Sequence, residues 1–405
     1  MAQTVKETVF ALLDSWADEY ASMLSRWVRV PSVKGEAADG APFGTAVRRM
    51  LDMAMVDAET MGFTTHVYDG YACDITLGDE EQETIAVLGH LDVVPAGDGW
   101  TMPPFGATRQ GDRIYGRGTM DDKGPSLAAL FAMRAIREAG VPLKKSIRLI
   151  LGCDEESGWE DMEYYTEHAR MPETGFSPDA SFPLINTEKG MIQLMVHAPL
   201  SAEGLQVKQL WAGERPNVIA GECRALVAGS EETAAAASAF ARDSGLDFSV
   251  ACTADGVEII AHGIPGHSAY PEGCRSAIGM QLLMLRALGV QGALRTLADA
   301  WPMEHTGEHL GIACSDALTG KLSCNMGILH LENRALSASL DCRCPVDADL
   351  DALVETIRAH LPGFQLDRPR LTPAHHVPAD SELVQQLLAA YHEETGLPEI
   401  GRAHV

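Results

Sequence analysis

A glycine-rich turn from Gly116 to Pro125, GRGTMDDKGP, carries the most chemically informative residues of this 405-residue chain. It places two adjacent aspartates, Asp121 and Asp122, directly before a segment with helical character. Two buried free carboxylates would carry a large desolvation cost. One of them should therefore be neutralised, either by a bound cation or by Lys123.

Further candidate ligands lie where other predicted elements end. A His-x-Asp pair or two adjacent glutamates, taken alone, are more often chance and surface charge. Four candidates, however, are predicted at strand ends or in tight turns, so they are not explained as charges on the exposed face of a helix: His90, Asp121, Glu156 and Asp179. One imidazole nitrogen and several carboxylate oxygens suit zinc or manganese.

An α/β fold would bring these residues together. The apolar runs Thr84 to Val94 and Ile147 to Cys153 are predicted strands, and Pro125 opens a predicted helix, Ser126 to Ala139, between them. This order indicates a mainly parallel sheet flanked by helices. Polar residues stand at the carboxyl ends of both predicted strands, so these two groups should meet at one edge of the sheet.

The pattern changes after about Glu188, where strand-like runs alternate with alanine-rich helical runs. This texture is typical of an α+β domain. We therefore expect the first part of a catalytic domain in residues 1–187, an inserted α+β lid domain in residues 188–373, and a return to the catalytic domain in residues 374–405.

Composition narrows the functional classes. The chain has 31 basic and 57 acidic residues, a net charge of -26, which argues against binding to nucleic acid. No signal peptide is visible, and no segment approaches the roughly 20 apolar residues of a membrane helix. We expect a cytoplasmic protein with no membrane partner, whose nine scattered cysteines are reduced core residues.

Five strings in this order resemble a known family: GHLDVVPAGDGW, GRGTMDDKGP, CDEESG, SPDASFP and GHSAYPEG. They are similar to the two-metal, zinc-type metallopeptidases that include glutamate carboxypeptidases, N-acyl-amino-acid deacylases and carnosinases. The spelling SPDASFPLINTEKG most resembles the bacterial peptidase V-like dipeptidases of the Xaa-His dipeptidase type. The resemblance extends from about residue 20 to residue 400.

The resemblance implies roles for the acidic residues. Together, His90 and Asp179 would hold one metal ion, Glu156 the other, and Asp121 would bridge the two, with a cis peptide bond to Asp122. The implied cofactors are two divalent ions, with zinc favoured and manganese the alternative.

The same resemblance implies a general base and its supporting residue. Asp92 would accept the second ring proton of His90 and so fix its tautomer. Glu155 would take a proton from a water that bridges the ions and deliver it to the leaving amine.

Three residues of the predicted second domain match family positions that act on the substrate. The histidine of GIPGHSAYPEG, His267, would stabilise the tetrahedral oxyanion. Asn217 and Arg343 would bind the substrate backbone and carboxylate. Without the motif, Arg343 would more often form an ion pair within its strand.

The family normally has one more metal ligand, a histidine far towards the C-terminus after a glycine-rich turn. Neither is found before Val405, so we expect the chain to be truncated and the second metal site to keep only Asp121 and Glu156. The terminal His404 is not expected to be a ligand.

These observations predict a dinuclear dipeptidase that hydrolyses dipeptides with a free N-terminus, a small peptide being its partner. The nearest alternative is an N-acyl-amino-acid or succinyl-diaminopimelate deacylase of the same superfamily. A catalytically dead binding protein is the alternative from another class. A monomer and a homodimer both fit the sequence.

Overall fold

Apolar side chains at helical spacing account for the helix that follows the paired aspartates. In the computed structural model of the chain, this helix spans Lys123–Glu138 and buries Leu127, Leu130 and Phe131, which lie three and four residues apart on one face. The structure describes residues 4–79, 82–301, 303–397 and 402–404, the last three as backbone only. The chain forms two compact units, Met1–Ser181 and Phe182–Val405.

The first unit is an α/β unit built on a mixed five-stranded sheet. Its helices are α1 Val5–Ser15, α2 Ala17–Val28, α3 Thr45–Thr60, α4 Lys123–Glu138 and α5 Glu160–His168. Its strands are β1 Thr64–Tyr68, β2 Ala72–Leu77, β3 Thr84–His90, β4 Thr108–Gln110, β5 Arg113–Tyr115, β6 Ser146–Gly152 and β7 Thr174–Phe176.

The strand order β1-β2-β6-β3-β7 explains where a site can form. Strand β3 lies parallel to both β6 and β7, whereas β1 and β2 add two antiparallel pairings. The predicted parallel arrangement therefore holds for the three strands that precede the candidate ligands. Their carboxyl ends share one edge of the sheet, as the sequence indicated.

Helices cover both faces of this sheet. The larger core joins α3 and α4 to the side chains of one face, including Ile75, Val87 and Leu149. A smaller cluster on the other face places Met162 and Tyr165 of α5 against the sheet. The two layers bury the central strands and leave their carboxyl ends for polar residues.

The second unit is an α+β unit with a ten-stranded sheet. Its helices are α6 Glu231–Ser244, α7 Ala277–Ala287, α8 Ala293–Ala300, α9 Leu350–His360 and α10 Glu382–Thr395. Its strands are β8 Ile185–Glu188, β9 Gly190–Pro199, β10 Val207–Ala212, β11 Val218–Ile219, β12 Glu222–Val227, β13 Phe248–Thr253, β14 Gly256–His262, β15 Gly266–His267, β16 Ser315–Asp316, β17 Gly320–Lys321, β18 Ser323–Asn325, β19 Leu329–Glu332, β20 Ala335–Cys344, β21 Gln365–Leu366, β22 Arg370–Thr372, β23 His375–His376 and β24 Arg402–His404.

Strict alternation along the long strands gives this sheet one apolar face. In β9, Ile192, Leu194 and Val196 are buried in a core with the helices, while the intervening residues are only partly buried. The division of the chain at residues 187 and 373 remains a prediction.

The N-terminal helical pattern is interrupted. Apolar residues at helical spacing run from Val5 to Trp27, but the helix divides at Trp16, which is the C-cap of α1 and the N-cap of α2. The longest helices, α3 and α4, have 16 residues each. Within the described part of the chain, no helix combines the length and the apolar character that crossing a membrane requires.

The cysteines are free thiols, but not all of them are core residues. Six are buried: Cys73, Cys153, Cys223, Cys324, Cys342 and Cys344. The expectation of burial was wrong for Cys252, which is exposed, and for Cys274 and Cys314, which are half-buried. Short strands and loops of the second unit bring these three to the surface.

Replacing Phe131 with alanine should destabilise the first unit by about 3 to 5 kcal/mol, because a large buried aromatic leaves a cavity. Its ring is 2% exposed and packs edge-on against Trp16 and Tyr20. Urea unfolding followed by tryptophan fluorescence measures the change. The control is Phe10→Ala, since Phe10 is 42% exposed; equal shifts in both variants would contradict the packing argument.

Candidate metal centre

The candidate ligands converge at the carboxyl edge of the first unit's sheet. His90 is the last residue of β3, and Glu155 and Glu156 lie in the turn after β6. Asp179 follows β7, and Asp121 ends the glycine-rich turn before α4. Three parallel strands and one helix start therefore supply all five residues.

His90 is the centre of the cluster. Its Nε2 lies 3.0 Å from Asp121 Oδ1, 3.5 Å from Asp179 Oδ2 and 4.0 Å from Glu155 Oε2. Two sets of ligand atoms lie within 4.8 Å of one another: one from His90, Asp121 and Glu156, the other from His90, Glu155 and Asp179. Asp121 thus stands beside Glu156, and Asp179 beside Glu155.

The surrounding carboxylates change the protonation of His90. Burial disfavours its charged form, but hydrogen bonds with Asp121, Asp179 and Asp92 outweigh burial and raise the pKa of His90 far above its usual value. The hydrogen bond with His90 lowers the pKa of Asp121.

The two glutamates respond in the opposite direction from Asp121. Burial, with the charge of Asp179 adding to it, raises the pKa of Glu155 to about 7. Burial and the charge of Asp121 also raise the pKa of Glu156. A carboxyl group with a pKa near neutrality suits a general base.

This donor set fits divalent ions. Each of the two sets joins the imidazole of His90 to two carboxylate groups within ligand reach, which is a zinc or manganese combination. The carboxylates around His90 raise its pKa, so they favour positive charge at this position. A divalent cation would bring such charge and would bind to the deprotonated side chains.

Asp92 has a second task that the sequence did not indicate. His90 Nδ1 hydrogen-bonds to the backbone carbonyl oxygen of Asp92 at 3.0 Å, and the Asp92 carboxylate lies 3.3 Å from the same nitrogen. The same carboxylate accepts the backbone N–H groups of Glu155 at 3.2 Å and Glu156 at 3.1 Å. Asp92 therefore positions both the histidine and the glutamate turn.

Asp122 holds the backbone of His90. The peptide bond between Asp121 and Asp122 is cis, as the resemblance implied. Asp122 is fully buried, and its Oδ2 accepts hydrogen bonds from His90 N at 3.1 Å and Ser126 Oγ at 2.7 Å. Burial raises the pKa of Asp122 to about 7.

Lys123 does not neutralise the paired aspartates, so that alternative was wrong. Its buried Nζ donates to the carbonyl oxygens of Trp27 at 3.1 Å and Val30 at 2.7 Å. Burial lowers the pKa of Lys123 to about 7. The helical direction of α4 carries the lysine towards the end of α2, whereas Asp121 is exposed and its carboxylate pairs with His90.

A third buried carboxylate supports the turn after β6. Asp161 in α5 accepts the backbone N–H groups of Cys153 at 2.6 Å and Asp154 at 2.9 Å. The side chain of Asp154 pairs with Lys34 at 2.7 Å. Sequence reasoning missed these contacts; the only signal was an acidic residue in a helix start shortly after the CDEESG string.

In the second unit, the three residues matched to substrate binding lie in one hydrogen-bonded neighbourhood. His267 pairs with Val218, next to Asn217, through the short ladder of β11 and β15. Asn217 O accepts from Ser268 N at 3.0 Å. The hydroxyl of Ser268 donates to Asp341 at 2.8 Å, and Arg343 Nε approaches the same carboxylate at 3.3 Å.

Arg343 therefore does form an ion pair within its strand, which is what its sequence position predicts when the motif is left aside. The pairing uses Nε alone. Within the described residues, the terminal guanidinium nitrogens of Arg343 have no hydrogen-bond partner, and its side chain is 22% exposed. Asp341 thus orients the arginine and leaves its two-pronged end for an anionic group.

His267 is held in one tautomer. Its Nδ1 accepts the N–H of Ala269 at 3.1 Å, so the proton of the neutral ring is on Nε2. A histidine in this state can donate a hydrogen bond to an oxyanion. The side chain of His404 lies outside the described residues; its backbone pairs in parallel with β8.

A sheet edge with one histidine and several carboxylates has the donor set of a hydrolytic metal centre. Residues 86–402 match the model of peptidase family M20/M25/M40. The chain belongs to this family of peptidases.

Relatives and solved structures agree with this membership. The chain is 34% identical over 383 residues to "Putative dipeptidase YtjP" of Bacillus subtilis, covering 91% of this chain and 82% of that protein. It is 31% identical over 364 residues to the Beta-Ala-Xaa dipeptidase of Lactobacillus delbrueckii subsp. lactis, covering 87% and 76%. Human carnosine dipeptidase 1 shares the fold at 16% identity, with a TM-score of 0.58 over 99% of this chain and 87% of that one.

Replacing Gly89 with alanine should weaken zinc binding about 10- to 100-fold, as loss of a supporting contact to a ligand does. A Cβ at this position would lie 2.1 Å from Ser126 Oγ and 2.5 Å from Asp122 Oδ2, so it would displace the carboxylate that holds His90. Isothermal titration calorimetry with Zn²⁺ measures the change. Gly35→Ala is the control, because its Cβ would meet nothing within 4 Å; a similar loss there would contradict the explanation.

Proposed function

We propose that this chain is a dinuclear dipeptidase that hydrolyses dipeptides with a free N-terminus. The observation that carries the proposal is the cluster of one histidine and four carboxylates, one of which, Glu155, has a raised pKa. The name of the Beta-Ala-Xaa dipeptidase supports the substrate class, since a β-alanyl dipeptide has a free amino group.

Four residues would hold the ions. His90 and Asp179 would bind one, Glu156 the other, and Asp121 would lie between them, which agrees with its position beside both His90 and Glu156. When bound, the two ions would polarise the scissile carbonyl and lower the pKa of a water molecule. Zinc is favoured and manganese is the alternative, since both accept nitrogen and carboxylate ligands.

Glu155 would move the proton. Its carboxylate is half-buried and lies near His90 and Asp179, and its pKa of about 7 allows it to accept a proton at neutral pH. It would take this proton from the attacking water and give it to the amine nitrogen as the peptide bond breaks. Asp92 holds the backbone of Glu155 and so aims the carboxylate.

Residues of the second unit would recognise the substrate. The Nε2–H group of His267 would donate a hydrogen bond to the oxyanion. The terminal nitrogens of the Arg343 guanidinium would bind the terminal carboxylate of the substrate. Asn217 would contact the peptide backbone. These three roles rest on the sequence resemblance and on the local contacts described above.

A substrate panel separates this proposal from a deacylase. We expect Ala- and β-Ala-dipeptides to be hydrolysed faster than N-acetyl and N-succinyl amino acids, measured as kcat/KM with zinc or manganese added. The free amino acids released from each substrate are quantified by chromatography. Faster turnover of the acylated compounds would show that the deacylase alternative is correct.

Glu155→Gln should lower kcat by about 10²- to 10⁴-fold, the usual contribution of a positioned base, while bound metal stays unchanged. Elemental analysis and steady-state kinetics measure the two quantities. Glu156→Gln is the matched control and should lose metal as well as activity. If Glu155→Gln instead loses metal, then base and ligand are assigned in the wrong order; if wild-type protein binds metal but hydrolyses nothing, the chain is a binding protein.

A further inference from the structure

The turn that carries Glu155 and Glu156 is held by hydrogen bonds from four successive backbone N–H groups. Those of Glu155 and Glu156 go to Asp92. Those of Cys153 and Asp154 go to a single oxygen, Oδ2 of Asp161, at 2.6 and 2.9 Å. We propose that Asp161 is a positioning residue for the catalytic base Glu155, an inference that rests on the proposed function.

The geometry of Asp161 differs from that of an ordinary acidic residue at a helix start. Acidic residues in the first turn of a helix usually face solvent, where they interact with the helix dipole. Its neighbours Glu160 and Glu163 are exposed in this way, but Asp161 is fully buried. Only its Oδ1 serves the helix, by accepting Met162 N at 2.7 Å.

The end of β6 is shaped to admit this carboxylate. A Cβ on Gly152 would lie 2.3 Å from Asp161 Oδ2, so only glycine leaves room for the oxygen. Gly152 has no left-handed backbone conformation that would otherwise require glycine. The requirement therefore comes from the carboxylate itself.

Loss of the acceptor would act on Glu155 through the backbone. Two buried N–H groups would lack partners and would seek new ones, which shifts the turn. A base displaced by a fraction of an ångström transfers its proton poorly, whereas the substrate contacts assigned to the second unit remain. The expected effect is on kcat, with little change in KM.

The first test is Asp161→Ala, assayed with an Ala-dipeptide in the presence of zinc. We expect kcat to fall about 10- to 100-fold, with KM within about twofold and the bound metal content unchanged. The control is Asp57→Ala, because Asp57 is another buried aspartate, which accepts from Arg26 and Trp27 at 2.8 Å each. Asp57→Ala should lower the unfolding temperature but leave kcat near the wild-type value.

A second variant tests the same contact without removing the carboxylate. Gly152→Ala should lower kcat by a similar factor, because the new Cβ displaces Asp161 Oδ2. In the Asp161→Ala background the clash is absent, so the double variant should have the kcat of Asp161→Ala alone. Multiplied losses in the double variant would overturn the proposal.

Other outcomes are equally decisive. Loss of metal in Asp161→Ala would show that the residue supports the ligand Glu156 and not the base, and an unchanged kcat would show that its role is confined to folding. Should Asp161→Ala fail to fold, Gly152→Ala still gives the kcat and metal measurements. An active Glu155→Gln variant would instead defeat the proposed function, which keeps the two failures distinct.

Discussion

Buried aspartates that accept backbone N–H groups are the constraint on which the rest of this centre depends. The N–H groups at the end of β3 and in the turn after β6 need partners outside the ladder of the sheet, because buried N–H groups without partners are costly. Asp122 accepts from His90, Asp92 from Glu155 and Glu156, and Asp161 from the two residues before them. Charged acceptors hold these turns more firmly than neutral ones would.

Close approach of these carboxylates to the backbone requires glycine. Gly89 and Gly152, one on each central strand, leave the space that Asp122 and Asp161 occupy, and Gly158 does the same for Asp154. None of the three has the positive φ that otherwise calls for glycine. Packing against a carboxylate, and not a turn conformation, therefore determines these positions.

The sequence predicted which residues converge better than it predicted the residues that support them. His90, Asp121, Glu155, Glu156 and Asp179 meet because strand ends and helix starts share one edge of the sheet, and period and turn residues reveal those ends. The residues that hold these turns in place could not be predicted from periodicity and turn residues, because their role depends on the direction in which each side chain points. Lys123 reaches the end of α2 and not the aspartates beside it, and Asp161 turns back towards β6. Asp341 contacts Arg343 and Ser268 because of how the chain pairs in the second unit, and the pattern of apolar residues does not predict that pairing.

The groups that bind protons at the carboxyl edge of the first unit's sheet determine how the stability of the fold depends on pH. In the ion-free protein the pKa of Glu155 is about 7, above its usual 4.5, so the folded chain binds more protons than the unfolded chain between these values. The contribution of Glu155 to the free energy of unfolding therefore falls as pH rises from 4.5 to about 7. The raised pKa of His90 acts in the same direction above 6.5. A divalent ion binds best to deprotonated ligands such as neutral His90, so the ion-loaded fold should gain stability where the ion-free fold loses it. The proposed catalytic ions would therefore also stabilise the edge of the sheet that binds them.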